Sequence, residues 1–201
     1  MMPRESSAVW FLGRVRSLSN LLRMNYMPRV RQQNVAEHSF HVANLAAMVG
    51  HEILSYPDHH VAVDMNYLVQ KALYHDFDES IVSDVPYPVK KGADGLAQSL
   101  EKYALDEMRY YGMPIPHQLV TDHPDMFLEN KIVKLCDMAE FIMYCIEEVE
   151  MGNKFFISKI QEALHNWSTQ DIVLQSEILS YIKDRAESIV RRETVAHSHI
   201  T

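Results

Sequence analysis

Apolar side chains recur every third or fourth residue along nearly every long segment of this chain, the period of an α-helix with one buried face. Val9, Phe11, Leu12, Val15, Leu18, Leu21 and Leu22 predict a helix over residues 7–24, and Pro28 closes it because proline has no amide to continue the ladder. Asn34, with Glu37 three residues on, has the form of a capping box, and Val42, Leu45, Ala46, Val49 and Ile53 carry the stripe onward. His38 then falls in the first turn. A third helix is expected from about Asp64 through Leu68, Val69, Ala72 and Leu73, leaving His75 and Asp76 near its C-terminal end. Residues 84–91, with Pro86 and Pro88 two apart, read as an irregular loop.

Gly95 to Tyr111 reads as an amphipathic helix broken by Gly112, Pro114 and Pro116. Residues 129–151 are apolar almost all round, which predicts a central buried helix with Asp137 in its middle. A last helix is expected over about 171–190, carrying Ile178, Tyr181, Ile182, Ala186 and Ile189, before a polar, frayed tail at 191–201. No alternating stretch is long enough to require a strand. The expectation is an all-α fold, a compact single-domain bundle of six or seven helices over residues 1–201.

Composition narrows the function. No apolar run reaches the roughly 18 residues of a membrane span, and the start, with its early Glu5, does not read as a signal peptide, so a cytoplasmic protein without membrane partners is expected. Cys136 and Cys145 lie nine residues apart on one predicted helix, about 13 Å along its axis, too far to bond to each other. The net charge of -8 is uneven: residues 1–31 hold six arginines against Glu5 alone, and the other 170 residues hold 13 basic and 26 acidic groups. An acidic body disfavours nucleic-acid polymers. A local positive element would suit a small phosphorylated substrate.

His38, the adjacent His75 and Asp76, and Asp137 are candidate metal ligands, each in or against an apolar helical segment where an unpartnered polar group is costly. Imidazole and carboxylate together suit Mn, Co, Fe, Ni or Zn, and more weakly Mg. A buried Asp137 would otherwise need hydrogen-bond donors or a salt bridge to Lys131 or Lys134.

Around these residues, in Arg23 to Ser39, Tyr74 to Lys90 and Ile132 to Glu148, the sequence resembles the HD-domain phosphohydrolases, and among them the bacterial 5′-deoxynucleotidases of the YfbR type. The resemblance implies that His38, His75, Asp76 and Asp137 hold one divalent metal ion, and that His41, one turn from His38, packs or makes a hydrogen bond instead. It implies that Glu79 positions or deprotonates the attacking water and that Asp84 serves the sugar and leaving-group end. Arg23 would contact phosphate, with Lys90 and Lys134 as further cations. Where the family typically carries tryptophan after the arginine, this chain has Met24, a softer barrier to a 2′-hydroxyl. Tyr26 and Tyr87 are candidates to stack on the base.

The implied activity is metal-dependent release of phosphate from nucleoside 5′-monophosphates, preferably deoxy ones, by a homodimer whose partner surface is the apolar C-terminal helix. The alternatives are a deoxynucleoside triphosphate triphosphohydrolase on the same scaffold and a non-catalytic helical module that keeps a metal for folding.

Overall fold

A computed structural model describes residues 6–56 and 62–198. It is all α: α1 (Ser7–Ser17), α2 (Val35–Ser55), α3 (Met65–Tyr74), α4 (Glu79–Val82), α5 (Tyr87–Gly92), α6 (Leu96–Tyr111), α7 (Phe127–Glu150), α8 (Phe156–Trp167), α9 (Asp171–Gln175) and α10 (Glu177–Ser198). Among the described residues the sole β-type pairing is a single antiparallel bridge between Leu22 and Asn34.

That bridge explains the first difference from expectation. The first helix ends at Ser17 and a 3-10 turn at Leu18–Asn20 follows, because the backbone of 21–35 pairs with itself instead: Arg23 N donates to Gln33 O at 2.9 Å and Val35 N to Leu21 O at 2.9 Å. Asn34 does cap α2, its Oδ1 accepting from Glu37 N at 2.9 Å. The reciprocal half of the capping box is missing, since the Glu37 carboxylate pairs with Arg31.

Two more differences concern helix ends. Residues 87–92 form a short helix, because Pro88 sits in its first turn, where a missing amide costs nothing. The C-terminal helix breaks at Ser176 and then runs to Ser198, so 191–198 are helical; residues 199–201 lie outside the described residues. Its apolar face is spent inside the chain, with Leu179, Ile182, Ala186 and Ile189 buried, rather than offered to a partner.

The main core is built where α2 packs on α3 and α7, and where α7 meets α8 and α10. Gly50 sets the α2–α3 spacing: a Cβ there would lie 2.6 Å from Leu68 Cδ2 and 2.7 Å from Met65 Sδ. A smaller cluster of Trp10, Phe11, Phe77, Ala104 and Met108 packs α1 and α6 around the segment leading into α4. Arg14 completes that contact by donating to Ser80 O at 2.7 Å.

The central helix is apolar except on chosen positions, and those are satisfied. Glu129 accepts from Asp64 N at 2.8 Å, holding the start of α3. Tyr144 OH donates to Arg31 O at 2.6 Å, and fully buried Glu148 accepts from Val30 N at 2.8 Å and Arg31 N at 2.6 Å. Cys136 and Cys145 are buried and unbonded, as their spacing requires.

Glu148 makes the fold's clearest pH-dependent contact. Burial alone would raise its pKa, but the amides of Val30 and Arg31 with Asn153 and Tyr144 more than offset it and hold the carboxyl below its ordinary 4.5. Its stabilisation is therefore complete above pH 4.5 and is lost as the pH falls through the lower folded value. Glu148→Gln should lose about 2–3 kcal/mol at neutral pH, the scale of hydrogen bonds to a charged group. Chemical denaturation as a function of pH checks this, with the gap to wild type closing in acid.

Candidate metal centre

Three pieces of backbone meet at one point. The first turn of α2 brings His38, the C-terminal end of α3 brings His75 and Asp76, and the middle of α7 brings Asp137. His38 Nε2, His75 Nε2 and an Asp76 carboxylate oxygen lie within 4.8 Å of one another. Asp137 Oδ1 is 3.0 Å from His38 Nε2, while Asp76 Oδ2 is 3.5 Å from His38 Nε2 and 3.3 Å from His75 Nε2.

The imidazole tautomers follow from the partners on the far side. His75 Nδ1 is 2.7 Å from Ala72 O, and a carbonyl can only accept, so that nitrogen carries the proton. His38 Nδ1 is 2.5 Å from Glu140 Oε2, again an acceptor. In the neutral rings both Nε2 atoms therefore present lone pairs toward Asp76 and Asp137, and both are buried without a hydrogen-bond partner. Lone pairs and carboxylates facing one another repel unless a proton or a metal ion lies between them, and in the metal-free site a proton on His75 Nε2 serves beside Asp76. The donor set of His38, His75 and Asp76 suits a divalent transition metal, with Asp137 adjoining it through His38.

The charges around the cluster are equally uneven. Burial would lower the Arg23 pKa, but Asp76, Asp137, Glu79 and Glu140 together raise it, which makes this guanidinium the counter-ion of four acids. Its Nη1 donates to Asp76 Oδ2 at 2.8 Å, and its Nε is buried with no partner. The His75 ring would be lowered by burial, yet the adjacent Asp76 carboxylate lifts it to about 9. Glu79 is buried, and burial followed by the charges of Asp76 and Asp84 pushes it up to about 9. Lys90 Nζ stands 3.8 Å from Glu79 Oε1, and Glu79 Oε2 has no partner. Asp78 is pushed up to about 6, by burial first and then by Asp76.

Asp84 follows Ser83, whose φ of 69° and ψ of 165° are rare for a residue with a side chain. This turn leaves Asp84 close enough to act on both Glu79 and Tyr26; burial and then Asp84 raise the Tyr26 hydroxyl.

Most of the residues expected at the site are brought together: His38, His75, Asp76, Asp137, Glu79, Arg23, Lys90 and Asp84. Three expectations change. The Asp137 side chain is 41% exposed rather than buried in the helix, and neither lysine pairs with it. Lys134 is engaged by Asp122 on the outside of the molecule, beside buried Lys71. Met24 is itself buried in the main core with a positive φ of 51°. Tyr87 is 70% exposed. His41 makes a long contact to Glu140 at 3.4 Å and stays outside the cluster, as expected.

Two residues were missed. Glu140, 4% exposed, joins His38 Nδ1 to Gln33, whose Nε2 donates to Glu140 Oε1 at 2.5 Å. The available signal was helical spacing: Asp137, Glu140, Tyr144 and Glu148 fall three, four and four residues apart, one face of α7.

The fold is shared with HD-domain phosphohydrolases of known structure. A Listeria innocua HD-domain phosphohydrolase superposes with a TM-score of 0.61 at 21% identity, covering 90% of this chain and 98% of the other. The cyanophage S-2L HD phosphohydrolase DatZ, bound to dA and one catalytic Zn2+ ion, does so at 0.52 and 19% identity over 90% and 94%. At the sequence level, residues 10–185 match the 5′-deoxynucleotidase YfbR-like family. The 5′-deoxynucleotidase YfbR of Escherichia coli O1:K1 is 30% identical over 156 residues, 73% of this chain and 76% of the relative. The chain therefore belongs to the YfbR-like 5′-deoxynucleotidase family, and it is a metal-dependent nucleotide phosphohydrolase.

The half-open position of Asp137 separates its two possible roles. Asp137→Ala should lose bound metal and turnover together while the metal-free protein unfolds within about 0.5 kcal/mol of wild type, the scale of a change away from the core. Metal analysis beside thermal unfolding reads both.

Proposed function

We propose that this chain hydrolyses nucleoside 5′-monophosphates to nucleoside and orthophosphate, preferring deoxyribose, with one divalent ion held by His38, His75, Asp76 and Asp137. The observation that carries the reading is the pair of buried, unpartnered Nε2 atoms facing two carboxylates, beside an arginine with a free N–H. A bound divalent ion supplies a Lewis acid that acidifies water and offsets phosphoryl charge. Co, Mn, Zn, Fe, Ni and Mg are the candidates; DatZ, with its catalytic Zn2+, favours zinc among them.

The chain's own residues supply the rest. Arg23 keeps one edge of its guanidinium on Asp76 and offers Nε to a phosphate oxygen. Glu79 in its ionised form accepts a proton of the attacking water at Oε2, the oxygen without a partner, as the new P–O bond forms and the bond from phosphorus to the 5′-oxygen breaks, and the departing 5′-oxygen takes a proton from solvent to leave as the nucleoside hydroxyl. Arg23 and Lys90 pull against burial and the acids, yet Glu79 still stands at about 9, so its base form would be favoured only once a divalent ion beside Asp76 offsets the acids' charge. Asp84 and Tyr26 stand on the sugar side, where Asp84 accepts from the 3′-hydroxyl. The half-open cavity beyond His75 and Lys90, floored by Val82, Leu100 and Met108, gives a base an apolar surface.

A structural metal module would have no use for Glu79, Lys90 and the free edge of Arg23. A triphosphohydrolase would need more cations, and Lys134 is committed to Asp122. A cytoplasmic homodimer remains part of this proposal. No helix among the described residues is long and apolar enough to cross a membrane.

The deciding experiment resupplies the metal-stripped protein with Co, Mn, Mg or Zn and offers dNMPs, NMPs and dNTPs in parallel. Orthophosphate from dNMPs is expected, with kcat/KM for dAMP over AMP on the order of 10-fold, about 1.4 kcal/mol of discrimination. Tripolyphosphate from dNTPs as the main product overturns the reading.

Glu79→Ala should keep its metal and lose about 10²-fold or more in kcat, the scale of a lost general base. Loss of metal in this variant would make Glu79 a ligand instead.

A further inference from the structure

Glu140 is a buried carboxylate that no step above uses. It lies on the Nδ1 side of His38, away from the cluster of Asp76, Asp137 and His75, with both oxygens engaged: Oε2 by His38 Nδ1 at 2.5 Å and Oε1 by Gln33 Nε2 at 2.5 Å. Gln33 is itself tied to the phosphate-side loop, because its backbone carbonyl accepts from Arg23 N at 2.9 Å. One carboxylate thus stands between the histidine at the start of α2 and the arginine at the end of the bridged loop.

We propose that Glu140 is a positioning residue for the metal centre: it fixes His38 with Nε2 turned to the ion, strengthens that nitrogen as a donor, and holds Arg23 in register through Gln33. The inference rests on His38 being a metal ligand.

A purely structural link between α7 and α2 would not need a charge. An amide of the same shape could accept from His38 Nδ1, and it would avoid the cost of burying a carboxylate. Part of that charge answers Arg23, but its direct partner is the His38 ring, where it has a use if the ring meets a cation beyond. A negative partner at Nδ1 makes Nε2 more basic, and such outer partners are commonly worth a factor of 10 to 100 in metal affinity. Glutamine at 140 fits once the Gln33 amide turns over: its Oε1 can accept from His38, and its Nε2, which would otherwise meet Gln33 Nε2, can donate to Gln33 Oε1, a buried atom that now has no partner.

The test compares wild type, Glu140→Gln, Glu140→Asp and His38→Ala. For each, cobalt affinity is measured by chelator competition, the visible absorption of the bound cobalt is recorded, and unfolding of the metal-free protein is followed. Glu140→Gln is expected to unfold like wild type without metal, to bind cobalt about 10- to 100-fold more weakly, and to show a shifted cobalt spectrum. Glu140→Asp, which keeps the charge, should stay closer to wild type than the glutamine variant does, and it decides the matter should the glutamine variant fail to fold. Unchanged affinity and spectrum in Glu140→Gln, or equal losses in both variants, overturns the positioning role. If His38→Ala still binds cobalt like wild type, the ligand assignment beneath the proposal has failed instead.

Discussion

A helix at the centre of an apolar bundle can carry polar groups only where each finds a partner, and this requirement on α7 organises the rest of the molecule. Its first turns send Glu129 to the amide of Asp64, which starts α3. Its middle sends Glu140 to His38, and its last turns send Tyr144 and Glu148 to the backbone at Val30 and Arg31. Each partner belongs to a segment that ends in a site residue: α3 delivers His75 and Asp76, α2 delivers His38, and the loop delivers Arg23. Satisfying the buried acids and assembling the site are one geometric condition.

The same condition sets how rigid each part is. His38 is fully buried and held from both ring nitrogens' sides, with Glu140 behind it and carboxylates in front. Arg23 is anchored at its backbone by Gln33 and at its tip by Asp76. By contrast, Asp84 follows a strained Ser83, and Tyr26 and Tyr87 are open to solvent. The end of the site held by His38 and Arg23 is thus built in advance.

Helical periodicity carried most of the fold, because apolar stripes such as Val42, Ala46 and Val49 depend only on local spacing and on having a core to face. It failed where long-range pairing took over. Leu22 bridges Asn34, so the first helix stops early, and no local signal places those two residues side by side. The ligand cluster was legible through its local motifs, but Lys134 was not. Its spacing from Asp137 suggested a shared role, and the competing Asp122 arrives from a loop whose position depends on Lys71 and Tyr67. Glu140 was hidden by describing α7 as apolar all round, although a single acidic face was present in the spacing.

The choice of arginine at position 23 follows from the acids it faces. Asp76 lies beside both histidines, so a phosphate brought to this cluster approaches a carboxylate and would be repelled by it. A lysine offers its three donors from a single point, so it could not hold Asp76 on one edge and present a separate edge to a second anion. The guanidinium is a planar fork with donors on more than one edge, so Nη1 can hold Asp76 while Nε remains for an incoming anion. Burial of Nε keeps that second edge from being spent on water. The loop that α7 pins through Tyr144 and Glu148 therefore does more than close the fold: it presents one cation that answers a fixed carboxylate and a passing phosphate at once.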